Sequence, residues 1–424
     1  MSILLTIFFI GFLILGVPII VALGLSCMFA VVLTGTIDIG ALVQNMFNAG
    51  NSFALMAVPF FILAGNIMSE GGVSRRLVNL AGAFFGRMNG GLALVATVAS
   101  TFFGALSGSA PATTAAIGGV MLKPMVEKGY DKNFAGAVVA ASGTIGLIIP
   151  PSITMVLYGV STGVSIGGLF LGGIIPGIII CIALMIVEYF ISVKRGYRGD
   201  EEASLKMIGK YCKEAVFAIF MPVLILGGIY AGVFTPTESA AVAVVYGLMV
   251  GLFVHRELTF KDLPKLILKS AKSTAIVMYL MITAEVLTFV LVSEQIPQNI
   301  ANSILGISQN AIVVQLIMVL ILLIIGTFLN NTAAMVLMAP IFYPIITSLG
   351  IDPLFFGIIM VISLAIGHNT PPVGMCLFIA CDIGNIKLEQ LVKEVMPLVI
   401  AMIIVVVALN FFPGIILYLP NMMK

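Results

Sequence analysis

The chain has 424 residues and a formal net charge of +2; 61% of its residues are hydrophobic and only 9% are charged. Soluble domains carry about 25% charged residues, so this composition excludes a soluble protein and indicates an integral membrane protein in a lipid bilayer. No basic face is interleaved with aromatic residues, so nothing indicates nucleic-acid binding. The five cysteines form no CxxC pair and are expected to be small packing residues.

Long apolar segments follow one another along the chain. The first has no basic region and no cleavage site of small residues, so it is expected to be a membrane helix rather than a signal peptide. In chain order the apolar segments predict helices at 2–16, 17–34, 53–70, 91–106, 110–128, 133–166, 168–192, 214–233, 237–254, 272–292, 311–329, 331–348, 353–382 and 394–419.

Two kinds of segment depart from a simple crossing. The pairs 91–106 with 110–128 and 311–329 with 331–348 are shorter than the ~20 residues of a full crossing, which favours re-entrant hairpins. The segments 133–166 and 353–382 each contain a proline pair, which removes two backbone donors and disfavours a helical conformation in the residue before it. We therefore expect each of these segments to be a broken helix at membrane depth.

The sequence repeats itself after 221 residues. The stretch 129–151 then lies over 350–372, with the same spacing from its first glycine to its proline pair. The halves are 1–193 and 214–424, joined by a polar linker at 194–213. Each half is expected to hold five crossings and one hairpin, and this odd number makes the halves inverted repeats. The predicted fold is an all-α polytopic membrane protein built from two inverted repeats, each with five crossings and one re-entrant hairpin.

The basic residues orient this topology. With Met1 outside, 19 of the 20 Lys and Arg residues lie on the cytoplasmic side, and Lys424 is the exception. The linker 194–213 is then cytoplasmic, and the stretch 293–352 contains no Lys or Arg, as expected for a hairpin entering from outside. The N-terminus is therefore expected to be periplasmic. Lys261, Lys265, Lys269 and Lys272 have helical spacing and are expected on an interfacial helix against anionic lipid.

Inverted repeats with paired broken helices are typical of secondary transporters, whose sites lie where the repeats meet. Alkali cations prefer oxygen ligands, which the hairpin tips and the breaks can supply. The first predicted sodium site comprises Ser107, Ser109, Ser142, Gly143, Thr144, Gly146 and Pro150. The second comprises Asn330, Asn331, Thr332, Gly367, Asn369, Thr370 and Pro371. The predicted substrate-binding residues are Ser107, Gly108, Pro111, Thr113, Pro151, Ser152, Asn331, Thr370 and Pro372.

Each of these interpretations has a structural alternative. Small and hydroxyl residues also pack ordinary membrane helices, but two clusters related by the repeat favour a functional role. Glu285 and His368 are candidates for coupling. For Glu285 the alternative is a helix contact, and for His368 it is a hydrogen-bonded wall residue. Glu238 is explained best as a first-turn carboxylate favoured by the helix dipole.

Five motifs give the chain a resemblance that runs its whole length: VPFFILAGNIM, FFGALSGSAPATTAAIG, GTIGLIIPPSITMVLYG, FTPTESAAVAVVYG and TPPVGMCLFIA. It resembles the large membrane subunit of tripartite ATP-independent periplasmic (TRAP) transporters of the bacterial inner membrane. The resemblance implies a sodium-coupled elevator importer of an organic acid such as a C4-dicarboxylate or a sialic acid. It also implies a separate four-helix small membrane subunit and a periplasmic substrate-binding protein. No small-subunit segment precedes Met1, so the unfused form is expected.

The sequence departs from the family pattern at the second predicted sodium site. Asn330 and Asn331 stand where many members have an aspartate after FL, and Gly367-His368-Asn369-Thr370 leads into the proline pair. These departures leave open the number of ions at that site and any part for protons. Neither predicted sodium site contains Lys or Arg, so we expect substrate affinity to depend on sodium.

Other functions were weighed against this one. A stand-alone ion-coupled carboxylate or anion carrier of the same architecture would need no binding protein. An embedded enzyme is disfavoured, because the chain has two histidines and no HExxH motif. A channel would use several equivalent pore-lining subunits, and the absence of a GxxxxGK[ST] loop leaves direct ATP drive without support.

Overall fold

The computed structural model describes residues 1–199, 205–296 and 310–422, together with Asn299 and Gly306. Within these ranges the regular structure is helical and no strand occurs, which confirms the predicted all-α class. The helices are α1 Ser2–Ile14, α2 Ile19–Thr34, α3 Ile39–Gly50, α4 Ala57–Glu70, α5 Val73–Phe85, α6 Gly91–Ser107, α7 Ala110–Glu127, α8 Lys132–Gly143, α9 Ile153–Thr162, α10 Ile166–Arg195, α11 Leu205–Tyr230, α12 Pro236–Met249, α13 Leu263–Ser293, α14 Ala311–Phe328, α15 Asn331–Ser348, α16 Pro353–Gly367, α17 Met375–Gly384, α18 Leu388–Phe411 and α19 Pro413–Met422.

Two helices, α3 and α5, were not predicted from the sequence. Both are amphipathic: α3 includes Gln44, Asn45 and Asn48, and α5 begins Val-Ser-Arg-Arg. A search for continuous apolar runs overlooks such helices, because only one face of each is apolar.

Two predicted boundaries were wrong. Helix α13 begins at Leu263, so Lys265, Lys269 and Lys272 lie on the same helix as the crossing and not on a separate interfacial helix. The predicted linker 194–213 is also partly helical, because α10 ends at Arg195 and α11 starts at Leu205. Residues 200–204 of this linker, like Lys424, lie outside the described residues.

Eight helices in the described ranges are long and apolar enough to cross a membrane. They include both arms of the second hairpin, α14 and α15, which have 18 residues each. Length alone therefore does not separate a re-entrant hairpin from two crossings there. Two-residue turns join the arms: Gly108-Ser109 between α6 and α7, and Leu329-Asn330 between α14 and α15.

The helices form two groups that pack against each other. We call α1–α5 with α11–α13 the scaffold helices, and α6–α10 with α14–α19 the hairpin body. In the scaffold, α4 packs on α12, and in the same way α13 packs on α2. Likewise, α1 packs on α2, and α11 packs on α12. This recurring order follows the sequence repeat.

The centre of the hairpin body consists of the first segments of the two broken helices. In α16 every residue from Phe355 to Gly367 is buried, and α8 is buried from Phe134 to Gly143. Their N-terminal ends are capped alike: Asp131 accepts bonds from the N–H groups of Asn133 and Phe134, and Asp352 accepts them from Leu354 and Phe355. A helix that is apolar all round is stable only when covered on every side, as these two are.

Glu238 caps its own helix, as its position after Pro236 predicted. Its Oε2 accepts a bond from the N–H of Thr235 at 2.8 Å, and the Thr235 hydroxyl oxygen accepts one from the N–H of Glu238 at 3.3 Å. This reciprocal capping box satisfies two N–H groups at the start of α12.

A buried carboxyl group ties α10 to the first hairpin and was overlooked in the sequence. The Thr97 hydroxyl donates to Glu188 Oε1 at 2.6 Å, and Glu188 Oε2 has no hydrogen-bond partner among the described residues.

We expect T97V to lower stability by about 1–3 kcal/mol, because it leaves a buried polar group without its donor. Thermal unfolding of the purified variant tests this. T101V is the control, because the Thr101 hydroxyl donates to the Thr97 carbonyl of its own helix; equal losses in both variants would contradict the assignment.

Candidate functional site

One cavity of about 360 Å³ lies between the two hairpin tips and the scaffold helices. Ile62, Gly65, Asn66, Ser107, Gly108, Ser109, Pro111, Ala112, Leu147, Ile153, Thr154, Ser273, Ile276, Val277, Asn330, Asn331, Thr332 and His368 line it. None of these side chains is a Lys, Arg, Asp or Glu. The hairpin body therefore supplies one wall of a neutral polar cavity, and α4 with α13 supplies the other.

The first hairpin tip is a tight turn whose hydroxyl groups bond to one another. Gly108 has φ +61°, and a Cβ there would lie 2.7 Å from the Pro151 carbonyl oxygen, so the turn requires glycine. The Ser107 and Thr113 hydroxyls lie 2.9 Å apart, and Thr113 donates to the Ser109 carbonyl at 2.8 Å. This network holds the N-terminus of α7 at the cavity.

The first break packs its backbone directly against the first hairpin. A Cβ on Gly104 would lie 2.6 Å from the Gly146 Cα, so the two glycines bring arm and break into contact. The Ile153 N–H donates to the Gly108 carbonyl at 3.4 Å. The Ser152 hydroxyl donates to the Leu147 carbonyl at 2.6 Å and bridges the proline pair.

The second hairpin repeats this arrangement. A Cβ on Gly367 would overlap the backbone of Gly326, so break and arm again meet through glycines. The Val373 N–H donates to the Thr327 carbonyl at 3.2 Å. Asn330 caps α15 by accepting from the Thr332 N–H at 2.9 Å, at the position that Ser109 has in the first hairpin. Both tips therefore present a helix N-terminus to the cavity.

Beside the second tip, several buried polar atoms have no hydrogen-bond partner among the described residues. These atoms are Asn331 Oδ1 and Nδ2, His368 Nδ1 and Asn369 Oδ1. The Asn331 backbone N–H donates to His368 Nε2 at 3.2 Å, and the Asn369 amide donates to the Thr144 hydroxyl at 3.4 Å. Unpartnered buried polar groups are rare, so this cluster is suited to a bound ligand.

The structure brings only part of each predicted site to the cavity. From the predicted sodium sites, Ser107, Ser109, Asn330, Asn331 and Thr332 line it. Of the remaining members, Ser142, Gly143, Thr144, Gly146, Pro150, Gly367, Asn369, Thr370 and Pro371 do not line it. Ser142 instead lies 3.0 Å from the Ser100 hydroxyl, and Thr370 donates to the Ile366 carbonyl.

The predicted substrate and coupling residues divide in the same way. Ser107, Gly108, Pro111 and Asn331 line the cavity, as does His368. Thr113, Pro151, Ser152, Thr370, Pro372 and Glu285 do not. Thr113 instead lies behind the first tip, where a Cβ on Gly146 would overlap its hydroxyl. His368 lines the cavity, and its Nε2 accepts a hydrogen bond from the Asn331 N–H.

Sequence reasoning missed the scaffold wall and one hydroxyl group. Asn66 on α4 donates to the Ser270 hydroxyl on α13 at 2.8 Å, and Ser273 lies one turn further along. Thr114 Oγ1 is buried without a partner in the described structure, against Gly143 of the first break. A polar residue in an otherwise apolar helix was the available signal for Asn66.

Two broken helices and two hairpins around a cavity without charged side chains are typical of secondary transporters of the membrane. The family model described as "Tripartite ATP-independent periplasmic transporter, DctM component" matches residues 6–415. The chain belongs to this family, which confirms the resemblance read from its motifs, and it is a transporter subunit and not an enzyme.

Known proteins agree with this membership. The isethionate TRAP transporter permease DctMQ of Oleidesulfovibrio alaskensis is 46% identical over 409 residues; the match covers 96% of this chain and 64% of that protein. The C4-dicarboxylate large permease DctM of Pseudomonas aeruginosa is 39% identical over 400 residues, covering 94% of each chain. In fold, the YdaH transporter of Alcanivorax borkumensis matches with a TM-score of 0.63 at 15% identity, over 97% of this chain and 98% of that one.

Proposed function

We propose that this chain is the large membrane subunit of a sodium-coupled importer of an organic acid in a bacterial inner membrane. A periplasmic binding protein delivers the acid, and a separate four-helix membrane subunit completes the scaffold. The cavity shared by the hairpin body and the scaffold helices is the observation that carries this proposal. A substrate held there lies between two groups of helices that can move past each other.

Oxygen atoms without partners support sodium as the coupling ion. In the described structure, Thr114 Oγ1 is such an atom at the first break, and Asn331 Oδ1 and Asn369 Oδ1 are such atoms at the second. Hard cations prefer neutral and charged oxygens in flexible cages. A sodium ion at either break would also offset the charge of an organic anion, which no side chain of the cavity does.

The contact between the first tip and α4 supports the elevator movement. A Cβ on Gly65 would lie 3.1 Å from the Ser107 Cα, so tip and scaffold meet through a smooth backbone surface. The cavity faces the scaffold near the ion pair between Lys269 and Glu70, whose Nζ and Oε1 atoms lie 3.2 Å apart. With the basic ends placed in the cytoplasm, the cavity lies toward the cytoplasmic ends of α4 and α13, the position that the proposed cycle requires for release of the substrate.

The substrate is an organic acid, and two chemistries fit a cavity without charged side chains. Isethionate, a hydroxysulfonate, is named for the more similar of the two relatives, and a C4-dicarboxylate for the other. Sialic acid, which the sequence motifs also imply, is the bulkiest candidate. All three are anions that carry hydroxyl or carboxyl oxygens suited to the hydroxyls of the first tip.

Uptake by proteoliposomes tests this proposal. Vesicles hold the chain and its small subunit, and labelled isethionate or succinate is offered with or without binding protein, in sodium or in potassium. Uptake that requires both sodium and binding protein supports the proposal. Uptake without binding protein favours the stand-alone carrier, and uptake that is equal in potassium would exclude sodium coupling.

A further inference from the structure

The two hairpin tips differ in how their polar groups are used. In the first tip the Ser107 and Thr113 hydroxyls form a hydrogen bond with each other, and both also lie within hydrogen-bond distance of the Ser109 carbonyl. In the second tip the buried His368 Nδ1 and Asn331 Nδ2 have no partner in the described structure. The Ser107 hydroxyl at the first tip therefore has no hydrogen left to donate, whereas the second tip keeps donors without partners.

One hydrogen bond sets the state of the His368 ring. Its Nε2 accepts the Asn331 backbone N–H at 3.2 Å, so Nε2 carries no proton. A neutral imidazole then carries its hydrogen on Nδ1. A doubly protonated ring could not accept this bond, so in this arrangement His368 is a neutral donor and does not carry a transported proton.

The repeat shows that this donor is special to the second half. A shift of 221 residues places His368 over Leu147, and both side chains line the cavity. The two ends of the cavity therefore differ: at equivalent positions of the lining, the first half has the apolar Leu147 and the second half has His368, whose Nδ1 is buried without a partner. A buried donor left without an acceptor destabilises the protein, and a bound oxyanion would supply the missing acceptor.

We propose that His368 Nδ1 and Asn331 Nδ2 bind the oxyanion group of the substrate and fix its orientation in the cavity. The oxyanion faces the second tip and the N-terminus of α15, and the rest of the substrate faces the hydroxyls of the first tip. Carboxylates and sulfonates share this chemistry. This assignment rests on the proposed function, because it takes the cavity to be the transport site.

Substrate binding to the purified complex of the chain with its small subunit tests the assignment. Isethionate and succinate are titrated calorimetrically in sodium, and thermal unfolding confirms that each variant is folded. H368L introduces the leucine that the first half has at the equivalent position, Leu147, and should weaken binding at least tenfold. H368Q keeps one acceptor and one donor and should stay within threefold of wild type. H255Q alters the other histidine, which lies away from the cavity, and should bind like wild type.

The outcomes separate this assignment from the proposed function. If H368L weakens the binding of isethionate alone, the oxyanion group that His368 binds is a sulfonate. If it weakens the binding of succinate alone, that group is a carboxylate. Either result supports the assignment. Normal affinity in folded H368L, or a change only in the sodium concentration for half-saturation, overturns it while leaving the proposed function intact. A wild-type complex that binds neither acid, and does not bind sialic acid in the same titration, overturns both.

Discussion

Reduced G65C/S107C should keep measurable uptake, lowered by the change at the cavity-lining Ser107, and joining the two cysteines by oxidation should abolish that uptake. A Cβ on Gly65 would lie 3.1 Å from the Ser107 Cα, which brings the two residues within reach of a disulfide. The bond would hold the first tip against α4. Because the proposed cycle moves the tip past the scaffold, a locked chain can bind its substrate but cannot carry it across.

The chain offers a matched control for this lock. A Cβ on Gly24 would lie 4.0 Å from the Thr283 Cβ, a spacing that suits a disulfide between α2 and α13. Both helices belong to the scaffold, so G24C/T283C should transport equally when oxidised and reduced. Exposed Cys212 is replaced by Ser in both variants. Full uptake in a G65C/S107C sample whose disulfide is shown by mass spectrometry would contradict the elevator movement.

G104A should lower uptake at least tenfold although it adds a single methyl group. The new Cβ would lie 2.6 Å from the Gly146 Cα and 3.0 Å from its nitrogen, and backbone atoms cannot turn away as a side chain can. The hairpin arm must then move off the first break, which disturbs the contact that shapes the first predicted sodium site. Overpacking of this kind costs about 1–3 kcal/mol.

G119A is the control for this substitution. Gly119 lies on α7 of the same hairpin, and a Cβ there meets no atom within 4 Å. Alanine also favours the helix by roughly 0.5–1 kcal/mol relative to glycine, so G119A should transport normally and unfold at the same or a higher temperature. Equal uptake in G104A and G119A would show that the glycine contact does not shape the site.

The sequence was sufficient for the features that depend on local chemistry. The proline pairs located both breaks, and the shift of 221 residues paired Gly146 with Gly367, which make equivalent contacts. Apolar length located most helices, because lipid requires long apolar segments with internal hydrogen bonds. The tips were found from small residues and polar side chains, the Ser107 hydroxyl in the first and the Asn330 amide in the second, and both residues line the cavity.

The features that could not be predicted from the sequence depend on contacts between segments that lie far apart in the chain. Asn66 and Ser273 line the cavity only because α4 and α13 pack beside the tips, and no local pattern records that packing. Ser142 and Thr144 have the right chemistry for ion ligands, but neither lines the cavity. Glu188 was overlooked because its partner Thr97 is 91 residues away, so its burial could not be read from its own segment.

Substrate affinity in sodium and in potassium tests the central claim most directly. The lining of the cavity has no Lys or Arg, and we propose that bound sodium offsets the charge of the anion. Calorimetric titration of the purified complex should give tight binding in sodium and at least tenfold weaker binding in potassium at equal ionic strength. Equal affinity in the two salts would contradict the proposal that sodium and substrate bind together between the hairpins.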